Sequence, residues 1–208
     1  FVHFVESSKR IIKSLSNEEL VKLISEISMD EILNGLINKL KNIPTGKDHA
    51  SEYHHFIKMV LEILWYPYLI NPIIEREIHE GRKRIDIVMD NNAKEGFFYN
   101  MHQVFKIFCP FIFIECKNYG RDVANPEIDQ LSGRFSATRG QFGILMCRSI
   151  QDETLLLKRC QDTYKDGRGL IFYLTDEDII TMLESIRDER PHELWELLDA
   201  KRRNVILA

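Results

Sequence analysis

The sequence predicts an α/β fold: a central mixed β-sheet with helices packed on it, preceded by an N-terminal helical unit. Three observations predict it. Beyond a linker at 42–48, apolar patterning alternates between helical spacing and short strand-like runs. Two of those runs, Phe111–Ile114 and Phe142–Cys147, are continuously apolar, as strands at the centre of a sheet are. A third pair, 72–79 and 83–90, flanks Glu80-Gly81 as a hairpin would.

Taken in order, residues 4–42 read as helices over about 4–15, 17–27 and 30–42, with Ser16 and Met29–Asp30 as boundaries. Ser16 and Glu19 make a capping box, and Leu20, Val21, Leu23, Ile24 and Ile27 form one apolar side. Ile32, Leu33, Leu36, Ile37 and Leu40 repeat the pattern, and Asn-Ile-Pro-Thr-Gly-Lys-Asp at 42–48 is a linker. A helix follows over about 50–65, and then the hairpin strands. Phe97, Met101, Val104, Phe105 and Phe108 stand at helical spacing until Pro110 stops them, more as core than as an aromatic stacking platform. The strand 111–118 comes next, then a helix opened by Asn125 as N-cap with Pro126 at its first position. A strand at 142–147, a helix at 152–164, a strand at 170–174 and helices at 176–186 and 191–205 complete the chain. This divides it into a helical unit (1–45), a core (46–188) and a helical tail (189–208).

Composition narrows the function classes. The 208 residues are 44% hydrophobic and 29% charged, enough for a substantial core, and no run approaches the roughly 18 apolar residues of a membrane span. The first residues lack the basic-then-apolar order of a secretory signal. The chain starts at Phe1 rather than Met, so an upstream partner domain is an expectation. Cys109, Cys116, Cys147 and Cys160 are irregularly spaced, which favours neither zinc nor disulfides, and a cytoplasmic location is expected. A net charge of −4 disfavours coating of nucleic acid by bulk electrostatics. It is compatible with a nuclease, in which acidic groups gather around metal ions. No phosphate-binding glycine loop, dinucleotide fingerprint or serine nucleophile motif is present.

The chemistry-bearing residues lie on the hairpin and the strand after it. Glu115 and Lys117 are two apart, so they share one face of their strand, following Phe111 and Phe113. The pattern predicts that the strand leaves the core there, with both groups at the accessible end of the sheet. Asp86 lies mid-strand between Ile85 and Ile87, where a carboxylate needs a partner or a metal. If the two strands are neighbours, Asp86 and Glu115 converge on one Mg²⁺, with Lys117 beside the attacking water or the phosphate. Alone, an exposed Glu-x-Lys is usually a surface ion pair of little consequence. The order Asp on a hairpin's second strand, then Glu-Cys-Lys-Asn ending the next buried strand, makes the catalytic reading the favoured one.

In these residues and this order, 48–180 resembles the PD-(D/E)xK, or restriction-endonuclease-like, nuclease superfamily. It is nearest to the branch of Mrr-type restriction enzymes and Holliday-junction resolvases. The resemblance implies a three-layer α/β/α core and a Mg²⁺-dependent endonuclease, with Mn²⁺ able to substitute. Asp86, Glu115 and the backbone carbonyl of Cys116 would hold the ion, and Lys117 would assist attack on DNA. Two departures stand out: Ile85 precedes Asp86 where the family has Pro, and 28 residues (87–114) separate the two acids. A catalytically inactive relative that binds nucleic acid or a protein is the rival reading, and RNA is a second substrate class. Cleavage of both strands would call for a homodimer.

Two further positions resemble family site residues. Glu52 stands at the start of its helix, in line with Phe56, Met59, Val60 and Ile63, either as a metal-site acid or as a partner of the helix dipole. Gln130 follows Asn125-Pro126-Glu127 and is expected near the site, against a solvated polar face as the plain alternative. Arg82, Lys83, Arg84, Arg121, Arg134 and Arg139 are candidate phosphate ligands. His49, His54 and His55 lack a spaced zinc motif, which favours surface or packing roles.

Overall fold

A computed structural model describes residues 28–78 and 83–207. The helices expected at 4–15 and 17–27, the Ser16 capping box, Arg82 and the turn at Glu80-Gly81 lie outside the described residues.

Among the described residues the order is α1 (Met29–Asn42), α2 (Ala50–Trp65), β1 (Leu69–Ile78), β2 (Lys83–Asn91), α3 (Gly96–Gln103) and β3 (Phe111–Lys117). Then come α4 (Asn125–Ser132), β4 (Phe142–Cys147), α5 (Glu153–Lys165), β5 (Leu170–Thr175), α6 (Asp176–Arg187) and α7 (Pro191–Ile206). The strands form one mixed sheet in sequence order, β1-β2-β3-β4-β5. β1, β2 and β3 pair antiparallel; β3, β4 and β5 run parallel. Each parallel step needs a crossover, and α4 and α5 supply the helices within them.

Helices cover both faces. α2 packs on β1, β2 and β3, with α1 and α6 beside it. α4 packs on β3 and β4 from the Phe113 side, where Phe113 stacks on Phe135 at 5.9 Å between ring centroids. α7 packs on β5, α5 and α6. The fold is thus α/β, a five-stranded mixed sheet between helical layers.

Local chemistry explains the helix starts. At α1, Ser28 Oγ accepts the Glu31 N–H at 3.1 Å and the Glu31 carboxylate accepts the Ser28 N–H at 3.3 Å. Thr175 and Asp178 close the same reciprocal box at α6, at 3.2 and 2.8 Å. The apolar stripes of α1 (Leu33, Leu36, Ile37, Leu40) and α7 (Leu194, Leu198, Val205) belong to the same continuous core as the strands. The 42–48 linker is strapped down as well, because Asn118 Nδ2 donates to the carbonyls of Pro44 and Gly46 at 3.0 and 2.9 Å.

Three expectations are corrected. β1 starts at Leu69 rather than 72, because Asn71 takes a left-handed φ of 52° beside a bulge and ties its side chain to Asp90 at 2.8 Å. α3 ends at Gln103: Phe105 N–H turns back to the Asn100 carbonyl and Lys106 adopts φ 58°. Phe97, Phe98 and Met101 are therefore core, whereas Val104, Phe105 and Phe108 reach the surface. Finally, Ala124 rather than Asn125 is the N-cap of α4, and Glu127 secures it by accepting the Ala124 N–H at 2.9 Å.

Candidate functional site

The candidate site forms where β2 and β3 part. Their ladder pairs Asp90 with Phe111 through to Ile87 with Ile114. The next positions, Asp86 and Glu115, face each other, and directly opposed residues on antiparallel strands share a sheet face. Here the Cys116 N–H donates not to a β2 carbonyl but to Asp86 Oδ2, at 2.8 Å. A side chain thereby takes over a backbone rung. This resolves the cost of a mid-strand Asp and fixes its orientation.

Glu115 is buried, with 1% of its surface exposed, and Lys117 has 9%. This corrects the expectation that both stand at an accessible sheet end, since α4 covers them. Lys117 Nζ donates to Glu115 Oε1 at 2.8 Å, and Gln130 Nε2 of α4 donates to the same oxygen. Lys117 also reaches Gln130 Oε1 at 3.4 Å. Gln130 is itself exposed, so it stands between the buried pair and solvent.

Glu115 Oε2 has no hydrogen-bond partner although it is buried. Burial first, then the charge of Asp86, push the Glu115 carboxyl up to about 7, against the opposing pull of Lys117 and Arg134. For Lys117, burial works against the ammonium, but Glu115 and Asp86 outweigh it and hold the pKa above its ordinary value. The arrangement is two acids in one electrostatic field, one cation, and an unmet demand at Glu115 Oε2. A divalent cation beside these acids would meet that demand. Asp86, Glu115 and the Cys116 carbonyl are the oxygen donors a hard ion such as Mg²⁺ takes, with water completing its shell. Among the described residues, no three or more His, Cys, Asp and Glu side chains are gathered to hold a metal by themselves.

The remaining sequence candidates divide. Gln130 is brought to the acid–lysine pair. Glu52 is not: it pairs with Lys39 and His49 on the exposed side of α2, and Lys39 lowers its pKa. Residues two apart on a helix point nearly opposite ways, and it is His54 that α2 turns toward Asp86. Arg134 was expected on a phosphate-binding surface but is 8% exposed, and its charge bears on Glu115. Arg139 is half-buried and donates to the Arg134 carbonyl at 3.3 Å. Arg121 is exposed and lies over the Tyr119 ring at 5.2 Å. Arg84 is exposed and pairs with Glu75 at 3.2 Å, and Lys83 opens β2.

Of the three histidines at 49, 54 and 55, His54 is the one brought to the strand ends, as a packed side chain bonded to backbone. Its Nε2 donates to the Cys116 carbonyl at 3.2 Å and stands 3.8 Å from Asp86 Oδ2. No local motif flags it, because its neighbours come from β2 and β3. Beyond the end of β3, a second cluster ties the elements together. Arg148 Nε pairs with Asp176 at 2.6 Å, Tyr53 donates to Asp176 at 2.8 Å, and Arg148 Nη1 donates to Asn118 at 3.1 Å. Comparison with family models, curated proteins and solved structures finds no match.

Proposed function

We propose that this chain is a metal-dependent endonuclease of the PD-(D/E)xK type that hydrolyses phosphodiester bonds in DNA, in restriction, defence or DNA processing. One observation supports it above the others. Lys117 and Gln130 hold one oxygen of the buried Glu115 carboxylate, Asp86 bears on it by its charge, and its second oxygen lacks a partner. A buried carboxylate oxygen without a partner is uncommon, and it is what an ion at this place would satisfy.

In this reading Asp86, Glu115 and the Cys116 carbonyl hold Mg²⁺, or Mn²⁺ in its place. The ion supplies a polarised phosphoryl oxygen and a more acidic water. Lys117 orients the attacking water or the phosphate with a charge that Glu115 and Asp86 keep protonated. Gln130 holds Lys117 and Glu115 in register and must yield as substrate enters. Arg121 is the exposed cation proposed to receive flanking phosphates. One site cuts one strand, so double-strand cleavage would come from a homodimer.

The test is incubation with supercoiled plasmid, linear duplex, single-stranded DNA and RNA, with Mg²⁺ or Mn²⁺ and a chelator control. Lys117→Met is assayed in parallel. Metal-dependent cutting of DNA that the variant loses supports the proposal, and cutting of RNA alone would change the substrate class. No cutting by folded, metal-loaded protein would overturn it in favour of an inactive domain that binds nucleic acid or a protein.

A further inference from the structure

We infer that Arg134 is a catalytic residue, a guanidinium held inside the protein for the non-bridging oxygens of the phosphate being cleaved. The inference rests on the nuclease reading proposed above and adds a second cation to Lys117.

Arg134 follows directly on Gly133, the C-cap of α4, and is 8% exposed. Its place is fixed from both sides. Gln130, about one helical turn earlier, holds Glu115, and Phe135, the next residue, stacks on Phe113 at 5.9 Å between ring centroids. Glu115 and Phe113 are two apart on β3 and share a face, so Arg134 is set over the face that carries the candidate site. From there its charge reaches the Glu115 carboxylate. Arg139 Nη2 donates to the Arg134 carbonyl at 3.3 Å and ties down the backbone.

What the side chain lacks is a partner. Nε is buried without a hydrogen bond, and among the described residues no carboxylate forms an ion pair with the guanidinium. Glu115 gives its bonded oxygen to Lys117 and Gln130 instead. The other two buried or nearly buried arginines differ: Arg148 is paired with Asp176 and Arg202 with Asp199. A cation held out of water without a counter-charge is costly, which points to a ligand that completes it. Two unmet demands thus stand in one electrostatic field: Glu115 Oε2, which suits a cation, and the Arg134 Nε N–H, which suits an anion. A phosphate with its metal ion brings both charges. In the hydrolysis a water oxygen bonds to phosphorus, the bond to the leaving sugar oxygen breaks, and a proton of the water reaches that oxygen through solvent. Charge on the non-bridging oxygens is stabilised by a guanidinium already in place. Arg121, exposed, meets phosphates that flank the cut, whereas Arg134 meets the one that is cut.

The experiment compares the full chain as wild type, Arg134→Met, Arg134→Lys and Lys117→Met. Urea unfolding is measured without metal, with Mg²⁺, and with Mg²⁺ plus inorganic phosphate, beside steady-state cleavage of a short duplex. Arg134→Met is expected to unfold at the same urea concentration as wild type or a higher one, because an apolar chain replaces a charge without a partner. Phosphate should raise the midpoint of wild type and not that of Arg134→Met. The variant's kcat should fall roughly 10²–10³-fold with KM nearly unchanged, and Arg134→Lys, which keeps the charge but not the planar fork, should recover part of the rate. A destabilised Arg134→Met with wild-type kcat would make Arg134 a packing residue and overturn the inference. A raised KM with wild-type kcat, or an equal response of both proteins to phosphate, would overturn it as well. Cleavage lost in Lys117→Met and untouched in Arg134→Met would overturn this inference alone. A wild type that cuts nothing, though phosphate stabilises it and not Arg134→Met, would overturn the nuclease reading and the catalytic role together and leave Arg134 an anion ligand.

Discussion

Asp86 Oδ2 accepts the Cys116 N–H at 2.8 Å, so a side chain of β2 occupies the place of a backbone acceptor in the ladder to β3. The same carboxylate that orients the site therefore also completes the sheet, and its two roles separate by substitution. Asn at position 86 keeps an oxygen for the Cys116 N–H but loses the charge. Ala leaves that buried N–H unmet, at a cost of about 1–3 kcal/mol. Asp86→Asn is expected to retain nearly wild-type stability and lose metal binding and cleavage. Asp86→Ala loses both and unfolds at lower denaturant. Equal stability of the two variants by urea titration would show that the Cys116 bond contributes nothing.

Lys117→Met is expected to lower cleavage by roughly 10²–10³-fold, the scale for removing one preorganised cation from a transition state. Stability should change little, although Lys117 is nearly buried. Met fills the alkyl volume, and Glu115, already pushed up to about 7, neutralises by taking a proton. Thermal unfolding beside a plasmid-nicking assay checks both halves. Full activity in a folded Lys117→Met protein would remove the lysine from the mechanism.

How much of this was legible in the sequence follows from the range of the interactions. The strands 111–117 and 142–147 were readable because their apolar runs sit between clear breakers. Asp86, Glu115 and Lys117 were readable because charge inside such runs is costly. The early end of α3 was not, since a left-handed Lys106 has no distinctive signature and Val104, Phe105 and Phe108 continue the helical spacing. Nor was the burial of Glu115 and Lys117: only the packing of α4 over β3 turns a strand end into an interior. Which of Glu52 and His54 faces Asp86 was not legible either, because a helix shows its periodicity but not its rotation about its own axis.

Gln130→Ala offers a graded test. Gln130 touches both Glu115 and Lys117 yet is exposed, so its removal should leave the fold intact. Losing one orienting hydrogen bond is expected to slow cleavage by about ten-fold, with metal affinity close to wild type. Steady-state kinetics with a short duplex checks this. A faster enzyme would instead mean that Gln130 obstructs entry and that its displacement limits the rate.

The raised Glu115 pKa predicts how the metal-free protein responds to pH. Its folded value of about 7 lies above the ordinary 4.5, so the folded state holds this proton more tightly than the unfolded chain does. The resulting stability is fully present below pH 4.5 and is lost as pH rises through 7. The slope is at most about 1.4 kcal/mol per pH unit, roughly 3 kcal/mol across the window. Asp176, pushed up by burial to about 6, adds a slope of the same sign, so the readout is the difference between wild type and Glu115→Gln, which shares the Asp176 slope. With chelator present, wild-type stability should fall more steeply than the variant's between pH 5 and 8. Mg²⁺ competes with the proton for this carboxylate and should stabilise wild type more at pH 8 than at pH 5.5. Superimposable pH profiles for the two proteins, with no added metal effect at pH 8, would mean that Glu115 is a permanently paired structural acid with no demand for an ion to meet.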